Sequence, residues 1–483
     1  MFQQQLLRMV ACRPDHPAVV DSHGKTSTYG QLLQEIEQLR ARLHTAGLRE
    51  GNVVATQLGN STGYVALLFA MASLGLVHCP VSQACSVEHR TMRLSQVGAT
   101  VLVTEQSIVS IDVPVFALHS RPQGLIEAPA CQEQAGLMRM QETSGSTGTP
   151  KLALWRQDRL YREILHWVEC AGLDASARYL NIHTLDGGHA VDLHVFPALL
   201  TGATLYLGEA ACVEETLRAL AENRISVMSA LPSQYLSLAH AAQQRGICLP
   251  ALKHPFCGGA YLDDHVVLEA ERRLGVHIKR IYGSTEFGII LANFAPGLQV
   301  GCGMHPVGDI KVSLEPQNPA QPEVGEIIAR STHSGSGYYP LSAEQNEDDK
   351  YVSGDIALRL ADGSLKPLGR ATDALLTKQG IQFTPSIEGR IAHVLMFERV
   401  VVLVDEHDRH HACVVIQAEA DLVPERKTAL NEMLEQSGIS ADIVVLERIP
   451  LTPTGKPDLA LIRKQLSAKN ADKETLSLLK DLT

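Results

Sequence analysis

At 483 residues the chain is too long for one compact core and calls for two or three domains; 45% hydrophobic and 20% charged residues give it a soluble, globular composition. Forty-two basic against 53 acidic residues leave a net charge of −11 with no long basic run, which argues against nucleic acid as a partner. The ten cysteines are scattered from Cys12 to Cys413 without a Cys-x-x-Cys pair, which argues against a zinc site or a disulfide scaffold and fits a reducing compartment.

Met1 to Val10 carries Gln3, Gln4, Gln5 and Arg8 where a signal peptide needs an unbroken apolar core, and no stretch approaches the roughly 18 apolar residues of a membrane span, so a cytoplasmic protein is expected. From Tyr29 to Leu48 the apolar residues Leu32, Ile36, Leu39 and Leu43 recur at helical spacing, with Gly47 as a stop. The short apolar runs Val53-Val54-Ala55 and Val101-Leu102-Val103 alternate with helical stretches such as Tyr64 to Leu74, the pattern of buried parallel strands with crossover helices. Thr143 to Lys151 then packs five hydroxyls, two glycines and one cation into nine residues. Such a loop suits phosphate oxygens, because glycine lets backbone approach closely while hydroxyls, N–H groups and the lysine meet the anion. It is not a Walker A loop, since it ends Thr-Pro-Lys-Leu rather than Gly-Lys-Ser/Thr.

A second α/β unit is expected from about Leu160 to Leu274, and Pro316, Pro319 and Pro322 mark a loop before a strand at Gly325 to Arg330 in a smaller β-rich unit. The last hundred or so residues read as helix, strand, strand, helix, strand, at Ile387 to Leu395, Val400 to Val404, Ala412 to Ala418, Lys427 to Gln436 and Ile443 to Leu446. The expected fold class is α/β: a large N-terminal domain of layered α/β subdomains plus a β-rich unit, with a small α+β C-terminal domain. Asp405 to His411 has the residue types of a metal cluster, but its place between two strand patterns favours a solvated polar turn.

The Thr143–Lys151 loop resembles the phosphate-binding signature of the adenylate-forming superfamily, which comprises acyl- and aryl-CoA synthetases, adenylation domains of nonribosomal peptide synthetases, and luciferases. Four further matches follow in the family's order: Ile281-Tyr282-Gly283-Ser284-Thr285-Glu286, Ser353-Gly354-Asp355, Leu368-Gly369-Arg370 and Pro453-Thr454-Gly455-Lys456. Softer echoes are Arg13-Pro14-Asp15, Gly258-Gly259-Ala260 and Gly325-Glu326-Ile327, so the resemblance runs along essentially the whole chain. The family's hinge follows its Gly-Arg motif, which implies a core of residues 1–369 and a mobile domain of residues 370–483. Only Leu459 to Thr483 lies beyond the Lys456 region, so a free-standing enzyme without a fused carrier domain is expected.

The resemblance implies a reaction in which a carboxylate attacks the α-phosphate of ATP, pyrophosphate leaves, and the acyl group passes to a thiol. Thr143, Ser144, Ser146, Thr147 and Lys151 would hold the β- and γ-phosphates. Gly258, Gly259 and Ala260 would bring backbone to the adenine, and Tyr282 would lie against it; relatives often carry an acidic residue where Ala260 stands. Thr285 would donate to the α-phosphate, Glu286 would ligate Mg²⁺, Asp355 would accept both ribose hydroxyls, and Arg370 would reach ribose or phosphate. Lys456, the strongest catalytic candidate, would bridge the substrate carboxylate and the α-phosphate, neutralising charge where it builds up. One extra residue between Arg370 and Gly380 leaves the hinge at Asp373 or Thr372, with Asp373 preferred.

The acyl pocket would be built from the helix running into Val195 to Gly202, with His183, Gly188, His189 and Gly283 lining it. His183, His189 and His194 suit pocket lining or core packing better than catalysis, because a carboxylate nucleophile needs no base. Amino-acid-activating relatives place an Asp near the start of that helix to pair with the substrate ammonium, and counting back puts Gly188 or His189 there, with Asp186 as the alternative register. An unpaired buried ammonium costs several kcal/mol, roughly, so an aryl or short acyl acid is expected and an amino acid is the alternative. The acceptor thiol belongs to CoA or to the phosphopantetheine arm of a separate carrier protein, with the carrier slightly preferred for want of a basic patch. Readings of other classes are a catalytically inactive nucleotide-binding sensor, which would lack Lys456 or Glu286, and a luciferase-like oxidation.

Overall fold

The computed structural model describes residues 1–105, 113–118, 126, 131–143, 151–208, 212–316, 318–340, 349–395, 397, 399–405, 408–419, 421–452 and 457–467. Two compact units emerge: Met1–Ser144 with Pro150–Ser353 and Leu358–Lys366, and Gly145–Thr149 with Gly354–Ala357 and Pro367–Thr483. Among the described residues no helix is long and apolar enough to cross a membrane. All ten cysteines are free thiols.

The first unit is built on two large sheets. In the nine-stranded sheet the order is His305–Pro306, Gly288–Ala292, Lys279–Ser284, His254–Cys257, Val227–Ala230, Arg178–Asn181, Thr204–Leu207, Pro17–Val20, Thr26–Thr28. The six strands from Lys279–Ser284 across to Pro17–Val20 run parallel, and their near-continuous burial reflects helices on the sheet's faces. Leu217, Leu220, Tyr235, Leu238, Val267 and Leu274 supply one such helical layer, packed with the strand residues Leu180 and Met228. Strand order reverses at Arg178–Asn181: the chain first adds Thr204–Leu207 on one side and then Val227–Ala230, His254–Cys257 and Lys279–Ser284 on the other. Loops leaving the carboxyl ends of strands diverge at such a reversal and open a crevice between them.

The seven-stranded sheet has the parallel strands Val53–Gln57, Val77–Pro80 and Val101–Thr104 at its heart, and ends in the antiparallel hairpin Leu137–Glu142 with Leu152–Arg156 and the short strand Tyr338–Tyr339. The helix Tyr29–Thr45 starts at a capping box in which Thr28 and Gln31 satisfy each other's backbone N–H groups, and it buries the four predicted residues Leu32, Ile36, Leu39 and Leu43. It ends at Thr45, with Ala46 as its C-cap, three residues short of the expected Leu48. Thr62–Leu74 is buried almost all round, from Tyr64 to Ala72, and so reads as a core helix rather than an amphipathic one. Arg13, an echo of the family's start, donates from Nη1 to the Gly202 and Ala175 carbonyls at 2.7 and 2.9 Å and ties down the end of the helix Phe196–Thr201.

A four-stranded sheet of Lys311–Pro316, Val324–Arg330, Lys350–Arg359 and Leu365–Arg370 is the β-rich piece. In the second unit the three strands Val400–Val404, His411–Gln417 and Ser440–Leu446 form one sheet. Alternation sends Val402, Val414 and Ile416 to one face, against Ile387, Ile391, Leu430 and Leu434 of two helices, and Val401, Leu403 and Val415 to the other, against Ile462. The strand pairing Val404 with Ala412 makes the polar stretch between them a hairpin turn; Glu406 and His407 lie outside the described residues.

Lys279–Ser284 turns back into Gly288–Ala292 so tightly that Gly283 faces Ile289 and lies beside Gly288. A Cβ on Gly283 would fall well inside van der Waals contact distance of the Gly288 carbonyl oxygen, a backbone atom that cannot step aside. Gly283→Ala is therefore expected to lower stability by about 1–3 kcal/mol in denaturant unfolding, the range of an overpacked site.

Candidate active site

The reversal of the nine-stranded sheet is where the structure gathers three histidines around one serine. His183 follows the strand Arg178–Asn181, Ser229 lies on Val227–Ala230, and His189 and His194 lie on a helical segment that begins at Gly188. All three polar atoms of Ser229 are engaged. Its N–H donates to His194 Nε2 at 3.0 Å, its carbonyl oxygen lies 3.0 Å from His183 Nε2, and its Oγ lies 2.9 Å from His189 Nε2. Because His194 Nε2 accepts, its proton sits on Nδ1 and is donated to the His189 carbonyl at 3.2 Å. Burial pushes the pKa of His183 down to about 4 and that of His194 down to about 3. Both are neutral at physiological pH and serve as an uncharged wall. The His183 and His189 rings stand 4.2 Å apart, and the Gly258-Gly259-Ala260 turn, which follows the neighbouring strand His254–Cys257, brings Gly259 close to His189 Nδ1.

A second set of contacts joins both halves of the phosphate-type signature. Thr143 N–H donates to the Lys151 carbonyl at 2.9 Å and closes the base of the loop; Ser144, Ser146 and Thr147 lie outside the described residues. Tyr338 pairs with Ala153 in the neighbouring strand, and its hydroxyl donates to Glu286 Oε1 at 3.1 Å while Lys151 Nζ sits 5.1 Å from its ring centroid. Trp155, two strand positions further on, donates from Nε1 to the Thr285 carbonyl at 2.8 Å. Thr285, Glu286 and Lys151 are thus brought together through Tyr338 and Trp155. The Ser284 side-chain oxygen beside them is buried and accepts or donates nothing among the described residues. Gly283, Gly259 and Ala260 are exposed, and Tyr282 is partly so.

In the second unit Arg370 Nε lies 3.4 Å from Asp355 Oδ1. Burial raises the Asp373 carboxyl above the usual carboxylate range, partly offset by the Thr372 hydroxyl at 3.2 Å and by Arg370. Lys456 lies outside the described residues.

Gly188 opens the helical segment, with Gly187 as its N-cap, so neither His189 nor Asp186 occupies that first position. The carboxylate nearest to it is Asp192, one turn on, whose Oδ2 lies 3.3 Å from where a Gly188 Cβ would stand. Asp192 is already committed: Arg139 grips it through two parallel bonds of 2.8 and 2.6 Å, and the Arg139 side chain is only 4% exposed. Sequence reasoning did not find Ser229, Tyr338 or the Arg139–Asp192 pair. The signals were a lone serine inside the apolar run Val227-Met228-Ser229-Ala230 and an aromatic pair directly after a Ser/Gly stretch.

Comparison with known proteins gives a consistent picture. The family model for AMP-binding enzyme matches residues 6–339. The chain is 25% identical to an indoleacetate–CoA ligase of Aromatoleum aromaticum, over 93% of this chain and 95% of that protein. It is 26% identical to a feruloyl-CoA synthase of Amycolatopsis sp, over 75% of this chain and 77% of that one. Among solved structures, an anthranilate CoA ligase in complex with anthranoyl-AMP superposes with a TM-score of 0.83 at 19% identity, covering 97% of this chain and 98% of that chain, and so shares its fold.

The buried neutral histidine gives a pH signature. The folded pKa of His194 is depressed below its unfolded value, so its contribution to stability is complete above pH ~6.5 and is lost as pH falls toward about 3, because the unfolded chain takes up a proton that the folded one refuses. Denaturant unfolding of wild type and His194→Gln is expected to diverge in slope by one proton across that window, with the wild type losing ground to the variant as pH falls.

Proposed function

The chain belongs to the AMP-binding enzyme family, and from that premise we propose that it activates an aryl or short acyl acid without an α-ammonium group and delivers it to the thiol of coenzyme A. Its reaction class is that of an AMP-forming acid–thiol ligase. The observation that carries the finer reading is the Arg139–Asp192 pair beside Gly188: the carboxylate that comes nearest to the pocket's helical start is neutralised by a buried guanidinium. A substrate ammonium entering there would find Asp192 already engaged by Arg139, which leaves its desolvation uncompensated by that carboxylate. A flat, apolar acid would lie against the neutral His183 ring, and the relatives named for indoleacetate and ferulate are enzymes of aryl acids.

In this reading the acid's carboxylate attacks the α-phosphorus of ATP, the bond to the pyrophosphate oxygen breaks, and charge accumulates on the α-phosphate oxygens. Thr285 donates its hydroxyl there, and its position is held by the indole of Trp155 through the backbone. Thr143, Ser144, Ser146, Thr147 and Lys151 bind the β- and γ-phosphates. Gly258, Gly259, Ala260 and Tyr282 take the adenine, while Asp355 and Arg370 take the ribose. Lys456, on the domain of residues 370–483, neutralises the attacking carboxylate and the α-phosphate, and Asp373 marks the hinge. Glu286 fits Mg²⁺, because it offers a hard carboxylate oxygen, Oε2, that accepts nothing among the described residues, while Oε1 is steadied by Tyr338. When bound, the ion would offset phosphate charge.

Carboxylate-dependent exchange of labelled pyrophosphate into ATP, run over aryl, short acyl, hydroxy and amino acids, tests this. Exchange with an aryl or short acyl acid is expected, reduced on the order of 10²–10³-fold in Lys456→Ala and by up to about tenfold in Tyr338→Phe. Mass spectrometry of the product with CoA is expected to show the acyl thioester. Exchange confined to amino acids would overturn the substrate reading, and thioester formed only on a phosphopantetheinylated carrier protein would overturn the acceptor.

A further inference from the structure

We propose that Glu163, His166 and His333 form a binding site for a divalent transition-metal ion of the zinc type, beside the Gly288 turn. The helix Gln157–Cys170 carries Glu163 and His166 one turn apart, and the segment before Tyr338 brings His333 over them. One ligand atom from each of the three lies within 4.8 Å of the others. Glu163 is 4% exposed and His333 is 6% exposed, so the cluster is built into the interior.

What these groups lack points to a ligand. His333 Nε2 is buried and unpartnered among the described residues, and so is His166 Nδ1. His333 Nε2 stands 3.9 Å from Glu163 Oε2, too far for a hydrogen bond. Without an ion, two imidazole nitrogens face a buried carboxyl with nothing joining them, an arrangement that is costly for each group. Burial, with a smaller push from Asp192, raises the Glu163 carboxyl to about 8, and burial, with His166 beside it, lowers His333.

The atoms on the other side of each ligand are already fixed. Glu163 Oε1 accepts the Ile289 N–H at 2.8 Å. His166 Nε2 accepts the Asp309 N–H at 3.3 Å and lies 3.1 Å from Asp309 Oδ1; an ion held at Nδ1 would move the ring proton to Nε2, where that carboxylate can accept it. This is the outer-partner arrangement that orients metal-binding histidines. Two imidazoles and one carboxylate suit Zn²⁺ or Co²⁺ rather than Mg²⁺, with a fourth position left for water. Metal–ligand bonds of ~2.0–2.2 Å would draw the three atoms to about 3.4 Å from one another, a contraction that side-chain rotation can supply. His166, 20% exposed, and Asp309, 76% exposed, give the ion a way in from solvent. The cysteine spacing that argues against a zinc site says nothing against this one, which uses no cysteine. The consequence is local: an ion held by Glu163 braces the turn at Gly288, where a side chain would collide with the Glu163 carboxylate.

The test is titration of chelator-stripped, full-length protein with Co²⁺ in Mg²⁺-containing buffer, followed by visible d–d absorption, and competition with Zn²⁺. One equivalent of a four-coordinate spectrum, displaced by Zn²⁺, is expected, with a thermal midpoint that rises with Zn²⁺ concentration. His333→Gln and His166→Asn are expected to weaken binding at least about 100-fold, and Asp309→Asn, which keeps all three ligands, by about 10–100-fold. His166 is partly exposed, so its variant serves as the folded control if a fully buried substitution fails to fold. No d–d spectrum from the folded wild type, or one unchanged in folded His166→Asn and so owed to others of the 20 histidines, would overturn the proposal.

Discussion

Where the strand order of the nine-stranded sheet reverses, between Arg178–Asn181 and Val227–Ala230, the connections leave in opposite directions and the crevice must be lined by whatever those two strand ends carry. Here they carry His183 and Ser229, and the Ser229 N–H, carbonyl and hydroxyl each meet a different imidazole. A sheet interrupted in this way leaves peptide groups at its strand ends that neighbouring strands do not cover, and a buried peptide group needs a partner. Neutral histidines supply it, with protons placed by the backbone rather than by solvent. The Gly258-Gly259-Ala260 and Tyr282-Gly283-Ser284 turns follow because His254–Cys257 and Lys279–Ser284 are the next parallel strands outward from that reversal.

The protein is acidic and yet belongs to a family that handles a polyanion, so what matters is how local charges are spent. Carboxylates near the site are neutralised inside the protein: Arg139 holds Asp192, and Arg93, itself almost fully buried, holds Glu142 at 2.8 Å one residue before Thr143. Lys151 by contrast is exposed, leaning on the Tyr338 ring and, among the described residues, on no carboxylate. A cation kept out of an ion pair retains its field for an incoming anion.

The motifs were legible because each is a contiguous run whose chemistry is set by neighbours in sequence, and elements such as Tyr29–Thr45 because four leucines and isoleucines repeat at one helical period. The contacts that make the site were not. Tyr338 reaches Glu286 across 52 residues and Arg139 reaches Asp192 across 53, and no local pattern marks either pairing. The pocket register was counted back along an assumed regular helix. Val191–Val195 forms a wider π turn, which shifts the side chains on either side of it relative to regular helical spacing. The Glu163, His166 and His333 cluster was invisible for the same reason as Tyr338: its third member comes from a segment with no helical or strand periodicity.

The indole of Trp155 ties the strand that leaves the Thr143–Lys151 loop to the carbonyl of Thr285. The chain has just two tryptophans, and the other, Trp167, is equally buried but packs edge-on against Phe256 at 6.0 Å. The molecule therefore contains its own optical gauge. An event that shifts the Thr285 carbonyl changes the hydrogen bond of one of two emitters, and ultraviolet fluorescence of the unlabelled protein can follow it in real time.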